Sequence, residues 1–426
     1  MPKILNHRVF KFGGASVKDA AAVKNVASII TQYGQAKQLT VVVSAMGKTT
    51  NALEAIYKNA RQQEPYQEAF VQLYGYHFQI AEGLFEGAEL KDVIDGLDRY
   101  FIRLENTLSQ VNEYSFHKGY DQVVSFGELI STFLVYRYLR QTGSAVLLKD
   151  ARQVIKTDYT WQEGKVDMAE TCIKVNELWA ADLEKNIIVT QGFIGSAPDG
   201  YTTTLGREGS DYTAAILAHC LKAKDVTIWK DVPGILNADP KLFADTHLYK
   251  ELSYFDASEM TYYGASVIHP KTIKPIALSG IPMYVRSFVQ PEAPGTMIHD
   301  NVPHNKVPAI IVKHKQTLIS FGVKDFTFIS DLNISKILQV FYLHNFKINL
   351  MQNSAVSLSV VVDSNEHIIQ TVTAELKADF KVAYNQNLTL ISIKQYNQET
   401  ISSVISGKEI VLEQKTRHTY QALVTN

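Results

Sequence analysis

What most constrains the fold of this chain is a recurring unit: a short, continuously apolar run, a turn of glycine and hydroxyl residues, then a helix-patterned stretch. Arg8-Val9-Phe10-Lys11-Phe12 breaks at Gly13-Gly14 and leads into residues 20–33, whose apolar positions 23, 26, 27, 29, 30 and 33 form one helix face. Leu39-Thr40-Val41-Val42-Val43-Ser44 ends in Ala45-Met46-Gly47-Lys48-Thr49-Thr50-Asn51 and a second helix. Residues 186–190 run into Gln191-Gly192, and residues 225–229 into the turn-rich segment 230–241. Strands without polar alternation are buried on both faces, as in parallel sheets covered by helices. Residues 1–300 are therefore predicted to form an α/β domain with a largely parallel sheet. Residues 64–115 interrupt the rhythm with uniform helical patterning and read as an insertion, to which no chemistry is assigned.

The polar residues of interest gather in the turns. Lys11 stands inside an apolar strand, where an ammonium needs a partner. Snorkelling to a sheet edge would account for it, and a phosphate would account for it better. Gly13 and Gly14 complete a strand–turn–helix arrangement able to cradle phosphate, although it matches neither Gly-x-Gly-x-x-Gly nor a Walker loop. Ser44, Lys48 and Thr50 sit at the carboxyl end of a strand, where open α/β sheets bind ligands. A second glycine turn, Thr203-Thr204-Leu205-Gly206-Arg207-Glu208-Gly209-Ser210-Asp211, precedes an alanine-rich helix. Ser210 is expected to cap that helix, whose N-terminus would attract phosphate or carboxylate; a capped surface turn is the plainer alternative. Glu128 lies in the first turn of the helix opening at Ser125, where answering the helix dipole is as good an account as ligand binding. His269, before Pro270, is expected to be a structural hydrogen-bonder.

The 426 residues are 46% apolar and 20% charged, with a net charge of −1, so no basic field points to nucleic acid or an anionic membrane. No apolar run reaches spanning length and no leader pattern opens the chain. Cys172 and Cys220 lie in helical apolar contexts and are expected to be buried thiols in a reducing compartment, with cytoplasmic localisation the default. Residues 290–308 hold prolines among polar residues and read as a linker. Beyond it the order is strand 309–321, helix 331–344, strands 347–351 and 355–362, helix 365–376 and a strand near 381–385. That is the β-α-β-β-α-β ferredoxin-like plan over 309–386. A strand at 388–393, a short helix and a hairpin at 409–423 make an abbreviated second copy over 387–426.

Lys11-Phe12-Gly13-Gly14-x-Ser16-Val17, Thr203-Thr204-Leu205-Gly206-Arg207-x-Gly209-Ser210-Asp211 and Gly264-Ala265-x-Val267-Ile268-His269-Pro270 together resemble the aspartate kinases of the monofunctional type. The resemblance runs in order over essentially the whole chain. It implies the amino-acid kinase fold, a three-layer αβα domain, with a C-terminal ACT regulatory region. It also implies transfer of the ATP γ-phosphoryl group to the side-chain carboxylate of L-aspartate, the first step of lysine, threonine and methionine biosynthesis. By resemblance Lys11 and Asp211 are catalytic, with Gly13 and Gly14 giving close backbone approach to the phosphates. Arg207 would fork onto the substrate α-carboxylate, Glu128 would take its α-ammonium, and Ser44, Thr50 and Ser210 would line the same pocket. Lys230, Asp231, Asp239, Lys241 and Ser266 fall on the ATP side. Mg²⁺ would arrive with ATP, without a direct protein ligand, and the ACT region would make a homodimer.

The chain departs from the pattern at Ala15, usually threonine, at Glu208, usually glycine, and at Ser266, usually a lysine that contacts nucleotide phosphates. Lys230, Lys241, Lys271 and Lys274 are the candidates to replace that lysine. In lysine-sensitive relatives an aspartate and a glutamate that help hold the effector align with Asn349 and Ala355, so lysine feedback is expected to be weak or lost. Two alternatives stand beside the aspartate kinase. One is a kinase of the same fold for another acidic amino acid; the other is a non-catalytic ACT-bearing amino-acid-binding protein with a degraded ATP site.

Overall fold

The structure is a computed structural model and describes residues 6–34, 38–265, 268–302, 307–325 and 327–425. The chain divides into two compact units: Met1–Ile235, Leu248–Ser258 and Ser266–Pro303 in the first, Leu236–His247, Glu259–Ala265 and His304–Asn426 in the second.

The first unit opens with β1 (Arg8–Phe12), α1 (Ala20–Tyr33), β2 (Leu39–Val43) and α2 (Thr49–Arg61). The helical stretch follows as α3 (Gln67–Leu84) and α4 (Gly87–Ser109), then α5 (Phe116–Val124) and α6 (Phe126–Gln141). Next come β3 (Val146–Lys149), α7 (Met168–Leu183), β4 (Ile187–Gln191), β5 (Ile194–Ser196), β6 (Thr202–Thr204), α8 (Gly209–Leu221) and β7 (Asp225–Lys230). β8 (Glu251–Leu252), α9 (Tyr254–Tyr263, divided between the two units after Ser258), α10 (Pro270–Ser279), β9 (Met283–Ser287) and β10 (Thr296–Ile298) complete the run. The main sheet has eight strands in the order β3-β4-β2-β1-β7-β9-β10-β8, parallel from β3 to β9, with β10 antiparallel to β9. β1 is central: Lys11 is level with Val42 of β2 on one side and Ile228 of β7 on the other. The chain leaves β1 toward β2 and β4 and later returns on the far side as β7, so β1 and β7 flank the point where strand order reverses. Ligands bind at the carboxyl edge of such a switch point.

The expected αβα plan is present, and the strands β2 and β4, read as continuously apolar, are buried throughout. Residues 146–149, assigned no element from the sequence, form β3, a short strand of which only Val146 is buried. Two expectations are corrected. Part of the segment read as a linker is β10, which pairs β9 and β8. Cys172 and Cys220 are not thiols: packing of α7 beside α8 brings their Cα atoms to 4.6 Å and they form a disulfide.

The second unit contains β11 (Ala309–Val323), α11 (Asp331–Leu343), β12 (Ile348–Asn353), β13 (Ser357–Asp363), α12 (Glu366–Leu376), β14 (Phe380–Lys394), α13 (Gln398–Ile405), β15 (Ile410–Lys415) and β16 (Thr419–Val424). They make a six-stranded antiparallel sheet, β12-β13-β11-β14-β16-β15. Ile319, Phe321, Leu358 and Val360 pack under α11 and α12, and Ile391, Ile393, Tyr420 and Ala422 under α13. The strands read at 381–385 and 388–393 are one strand, because pairing with β11 continues past their polar junction.

Candidate active site

The end of β1 turns at Gly13 into a short 3-10 helix, Gly14–Val17. Gly14 is a position where no side chain fits, since a Cβ there would lie 2.8 Å from the Ala45 carbonyl oxygen and 3.0 Å from that of Gly47. The two strand-end loops are laced together instead: Ser44 N donates to Phe12 O and Gly47 N to Gly14 O, each at 3.0 Å. The first two turns of α6 lie against this lacing. Ser131 Oγ donates to Ser44 O at 2.7 Å, and Ala45 N donates to Glu128 Oε1 at 3.2 Å.

Lys11 has a partner, as burial requires. Its Nζ lies 2.6 Å from Asp211 Oδ1, and Lys230 Nζ lies 3.5 Å from Asp211 Oδ2. Burial alone would raise the Asp211 carboxyl, but the Lys11 and Lys230 ammoniums hold it below its ordinary value. The Glu128 side chain has no such neighbour at contact. Burial pushes its pKa up to about 8, against the opposing pull of the Ala45 N–H and the more distant Lys11 charge. Its Oε2 is buried and, among the described residues, without a hydrogen-bond partner.

These groups share one cavity of about 650 Å³. Lys11, Gly14, Ser44, Thr50, Glu128, Arg207, Ser210, Asp211 and Lys230 all line it, from positions spread over 220 residues of sequence. Both signs of charge face the space, with Lys11, Arg207 and Lys230 set against Glu128, Asp211 and Glu208. Arg207 is exposed and forms no hydrogen bond or ion pair among the described residues. Ser210 is buried against Gly192 but does not cap α8. The cap position belongs to Glu208, in the left-handed region at φ 54°, which starts the helix at Gly209 and places Ser210 and Asp211 in the first turn.

Other sequence-predicted residues fall elsewhere. Gly13 is not in the lining, though a Cβ on it would reach within 3.4 Å of Lys11 Nζ. Asp231 is exposed and outside the lining. Asp239 and Lys241 belong to the second unit, where Lys241 N donates to Asp239 Oδ1 at 2.9 Å. Ser266 lies outside the described residues. His269 is structural, as expected: its Nδ1 accepts from Lys271 N at 3.3 Å as the N-cap of α10.

Sequence reasoning missed several lining groups. Tyr120 donates to Glu54 Oε1 at 2.5 Å at the rim, and Gln162, Glu163, Phe193 and Thr204 complete the wall. Behind the wall Asp121 is fully buried, and burial raises its carboxyl to about 6 against the pull of the Gln162 and Thr204 donors. The helical insertion also reaches the site. Buried His77 on α3 meets Thr49 Oγ1 at 3.3 Å, one residue before Thr50. Burial lowers the His77 pKa to about 4, so it contacts Thr49 as a neutral ring. A helical stripe of apolar residues around a lone histidine gives no local sign of such a contact, which depends on α3 packing against α2.

In the second unit Asn349 is buried and fully engaged. Its Nδ2 donates to Gln316 Oε1 and Asp363 Oδ1 at 2.8 and 2.9 Å, and its Oδ1 accepts from Lys313 Nζ at 2.9 Å. Ala355 is exposed beside β12.

Comparison with known proteins agrees with this geometry. The model of the amino acid kinase family matches residues 6–287. The lysine-sensitive aspartokinase 3 of Escherichia coli (strain K12) is 30% identical over 393 residues, covering 90% of this chain and 86% of that protein. A bifunctional aspartokinase/homoserine dehydrogenase of Daucus carota is 34% identical over 302 residues, 70% of this chain but only 33% of that protein. Among solved structures, E. coli aspartokinase III in complex with aspartate and ADP superimposes with a TM-score of 0.86 at 28% identity, over 99% of this chain and 96% of that one. Fold, site and relatives converge: this chain belongs to the amino acid kinase family and, within it, to the aspartokinases, and is a kinase.

Proposed function

We propose that this protein transfers the γ-phosphoryl group of ATP to the side-chain carboxylate of L-aspartate, giving 4-phospho-L-aspartate for lysine, threonine and methionine biosynthesis. The observation that carries the proposal is the single cavity in which the Lys11–Asp211–Lys230 cluster stands with Glu128 and Arg207. One group of residues suits a transferring phosphoryl group and the other an α-amino acid. Arg207 takes the α-carboxylate, Glu128 the α-ammonium through its unpartnered Oε2, and Ser44, Thr50 and Ser210 shape the space between.

The reaction needs no general base, because a side-chain carboxyl with an ordinary pKa of about 3.9 is already ionised at neutral pH. A carboxylate oxygen attacks the γ-phosphorus, the bond to the β-bridging oxygen breaks, and ADP leaves with that electron pair. The difficulty is bringing anions together, so the protein contributes position and positive charge. Lys11 meets the phosphoryl oxygens, Asp211 holds Lys11 and Lys230 toward them, and the open N–H groups at the start of α8 add to the field. Asp211 spends both oxygens on ammonium groups, so these residues fit a Mg²⁺ ion carried by the nucleotide phosphates. When bound, that ion would neutralise phosphate charge. Gly13, Gly14, Asp231, Asp239, Lys241 and Ser266 remain assigned to the ATP side by resemblance.

Residues 308–426 are assigned a regulatory role, as an ACT region with a full unit at 309–386 and an abbreviated one at 387–426 that forms a homodimer. L-lysine feedback on it is weak or lost, a reading supported by the polar atoms of Asn349 being already satisfied by Lys313, Gln316 and Asp363. ATP and a free amino acid as substrates support a cytoplasmic setting, whereas the Cys172–Cys220 disulfide, a bond that persists in oxidising surroundings, counts against it. Among the described residues no helix is long and apolar enough to cross a membrane.

The test is hydroxamate formation by purified protein with ATP, Mg²⁺ and L-aspartate, beside a Lys11→Ala control and an L-glutamate blank. Product with aspartate alone, lost in the variant, is the expected result. Folded protein giving no product with either acid would turn the assignment to an amino-acid-binding protein.

A further inference from the structure

Arg207 has nothing of its own to hold it. Its guanidinium makes no bond within the protein among the described residues, so its position is set by the backbone of the turn 204–208. That turn is gripped by residues distant in sequence. From α5, Asp121 Oδ1 accepts from Thr204 Oγ1 at 2.7 Å, and Oδ2 accepts from Thr204 N and Gln162 N, each at 3.0 Å. From the first turn of α10, Lys271 Nζ donates to Leu205 O at 2.8 Å. The ammonium is so close beneath the turn that a Cβ on Gly206 would lie 3.3 Å from it.

The same ammonium answers a charge problem. Glu208 brings a carboxylate into the wall of an anion-binding cavity, and its Oε2 is buried without a hydrogen-bond partner among the described residues. Glu163 adds a second carboxylate there. Both carboxylates act on Lys271 and favour its charged form against burial. A lysine tied to Leu205 O thus both fixes the turn and offsets the acids beside Arg207.

We propose that Asp121 and Lys271 are positioning residues that clamp the 204–208 turn through Thr204 and Leu205 and thereby set the affinity of Arg207 for the substrate carboxylate. The proposal rests on the assignment of Arg207 to the α-carboxylate made above.

The experiment measures kcat and the KM values for L-aspartate and MgATP in the full chain and in Arg207→Ala, Lys271→Met, Lys271→Arg and the Arg207→Ala/Lys271→Met double variant. Arg207→Ala is expected to raise the aspartate KM at least about tenfold, as loss of a charge-assisted bond to substrate does. Lys271→Met is expected to raise it about fivefold, with kcat and the MgATP KM within about twofold of the parent. Lys271→Arg should recover most of that loss, and the double variant should be no worse than Arg207→Ala alone, because one residue acts through the other. If Arg207→Ala leaves the aspartate KM unchanged, the carboxylate assignment itself falls. If Arg207→Ala raises it and Lys271→Met does not, the clamp falls and the assignment stands. Additive effects in the double variant, or a change in the MgATP KM instead, would likewise overturn the clamp. Asp121→Asn, which turns amide donors toward the donors of Thr204 and Gln162, should raise the aspartate KM in the same way. An unchanged KM in folded Asp121→Asn protein would remove Asp121 from the clamp; should that variant fail to fold, the Lys271 series alone decides between clamp and no clamp.

Discussion

Asp211 touches two ammonium groups, and this decides what each variant of the cluster does. Without Lys11 the carboxylate still has Lys230 at 3.5 Å, so Lys11→Met should fold and lose kcat by at least about 100-fold, the usual cost of removing one preorganised charge partner. Steady-state kinetics retaining more than a tenth of parental kcat would refute this. Asp211→Asn instead leaves the buried Lys11 ammonium and the partly buried Lys230 ammonium facing an uncharged amide. Breaking a buried pair in this way costs about 3–5 kcal/mol, and urea denaturation should show it. Glu128 gives a pH signature. Its pKa of about 8 means the free protein carries it mainly protonated at neutral pH, whereas a substrate ammonium needs the carboxylate. Below that pKa binding must first expel a proton, so the aspartate KM should fall as pH rises from 6.5 to 8.5, by up to about tenfold per unit well below the pKa, then level off. Glu128→Gln should show a high and flat profile, and a parental KM independent of pH would count against the assignment.

At the scale of elements, legibility followed burial. β2 and β4 announce themselves because every residue is apolar or buried, and the glycine turns after β1 and before α8 are local features that carry their own signal. β3 was hidden by its length and partial exposure, and β10 by its place among prolines. In β14 the exposed run Tyr384-Asn385-Gln386-Asn387 imitates a turn, and only pairing with β11 carries the strand through it. Site residues divide in the same way. Lys11, Arg207 and Asp211 sit in recognisable motifs, whereas Asp121, His77 and the contact of Lys271 with Leu205 depend on packing between distant helices and loops. The bond between Cys172 and Cys220 is another such case, since a separation of 48 residues says nothing until α7 lies beside α8. Closing a loop of that length stabilises a fold by about 2–4 kcal/mol. Unfolding with and without dithiothreitol should differ by this amount, and a Cys172→Ser/Cys220→Ser protein should match the reduced curve. Identical curves for oxidised and reduced parent would show that the bridge does not form.

For the whole molecule the expected behaviour is a kinase that ignores L-lysine. Millimolar L-lysine should leave the rate unchanged, since binding would first have to displace Lys313 from Asn349 and Asp363; inhibition in that range would overturn the assignment. Light scattering should return twice the mass of one chain, and a clean monomer would remove the dimer. The position of β1 has a consequence of another kind. Its ladder is closed on both sides, by β2 and by β7, and Val9, Phe10 and Phe12 have no exposed surface. Amides in such a strand exchange with deuterium only when the surrounding fold opens as a whole. The lysine proposed to meet the phosphoryl group therefore rides on backbone that should be among the slowest to exchange. In this protein the reaction centre and the last part to unfold are expected to be the same few residues.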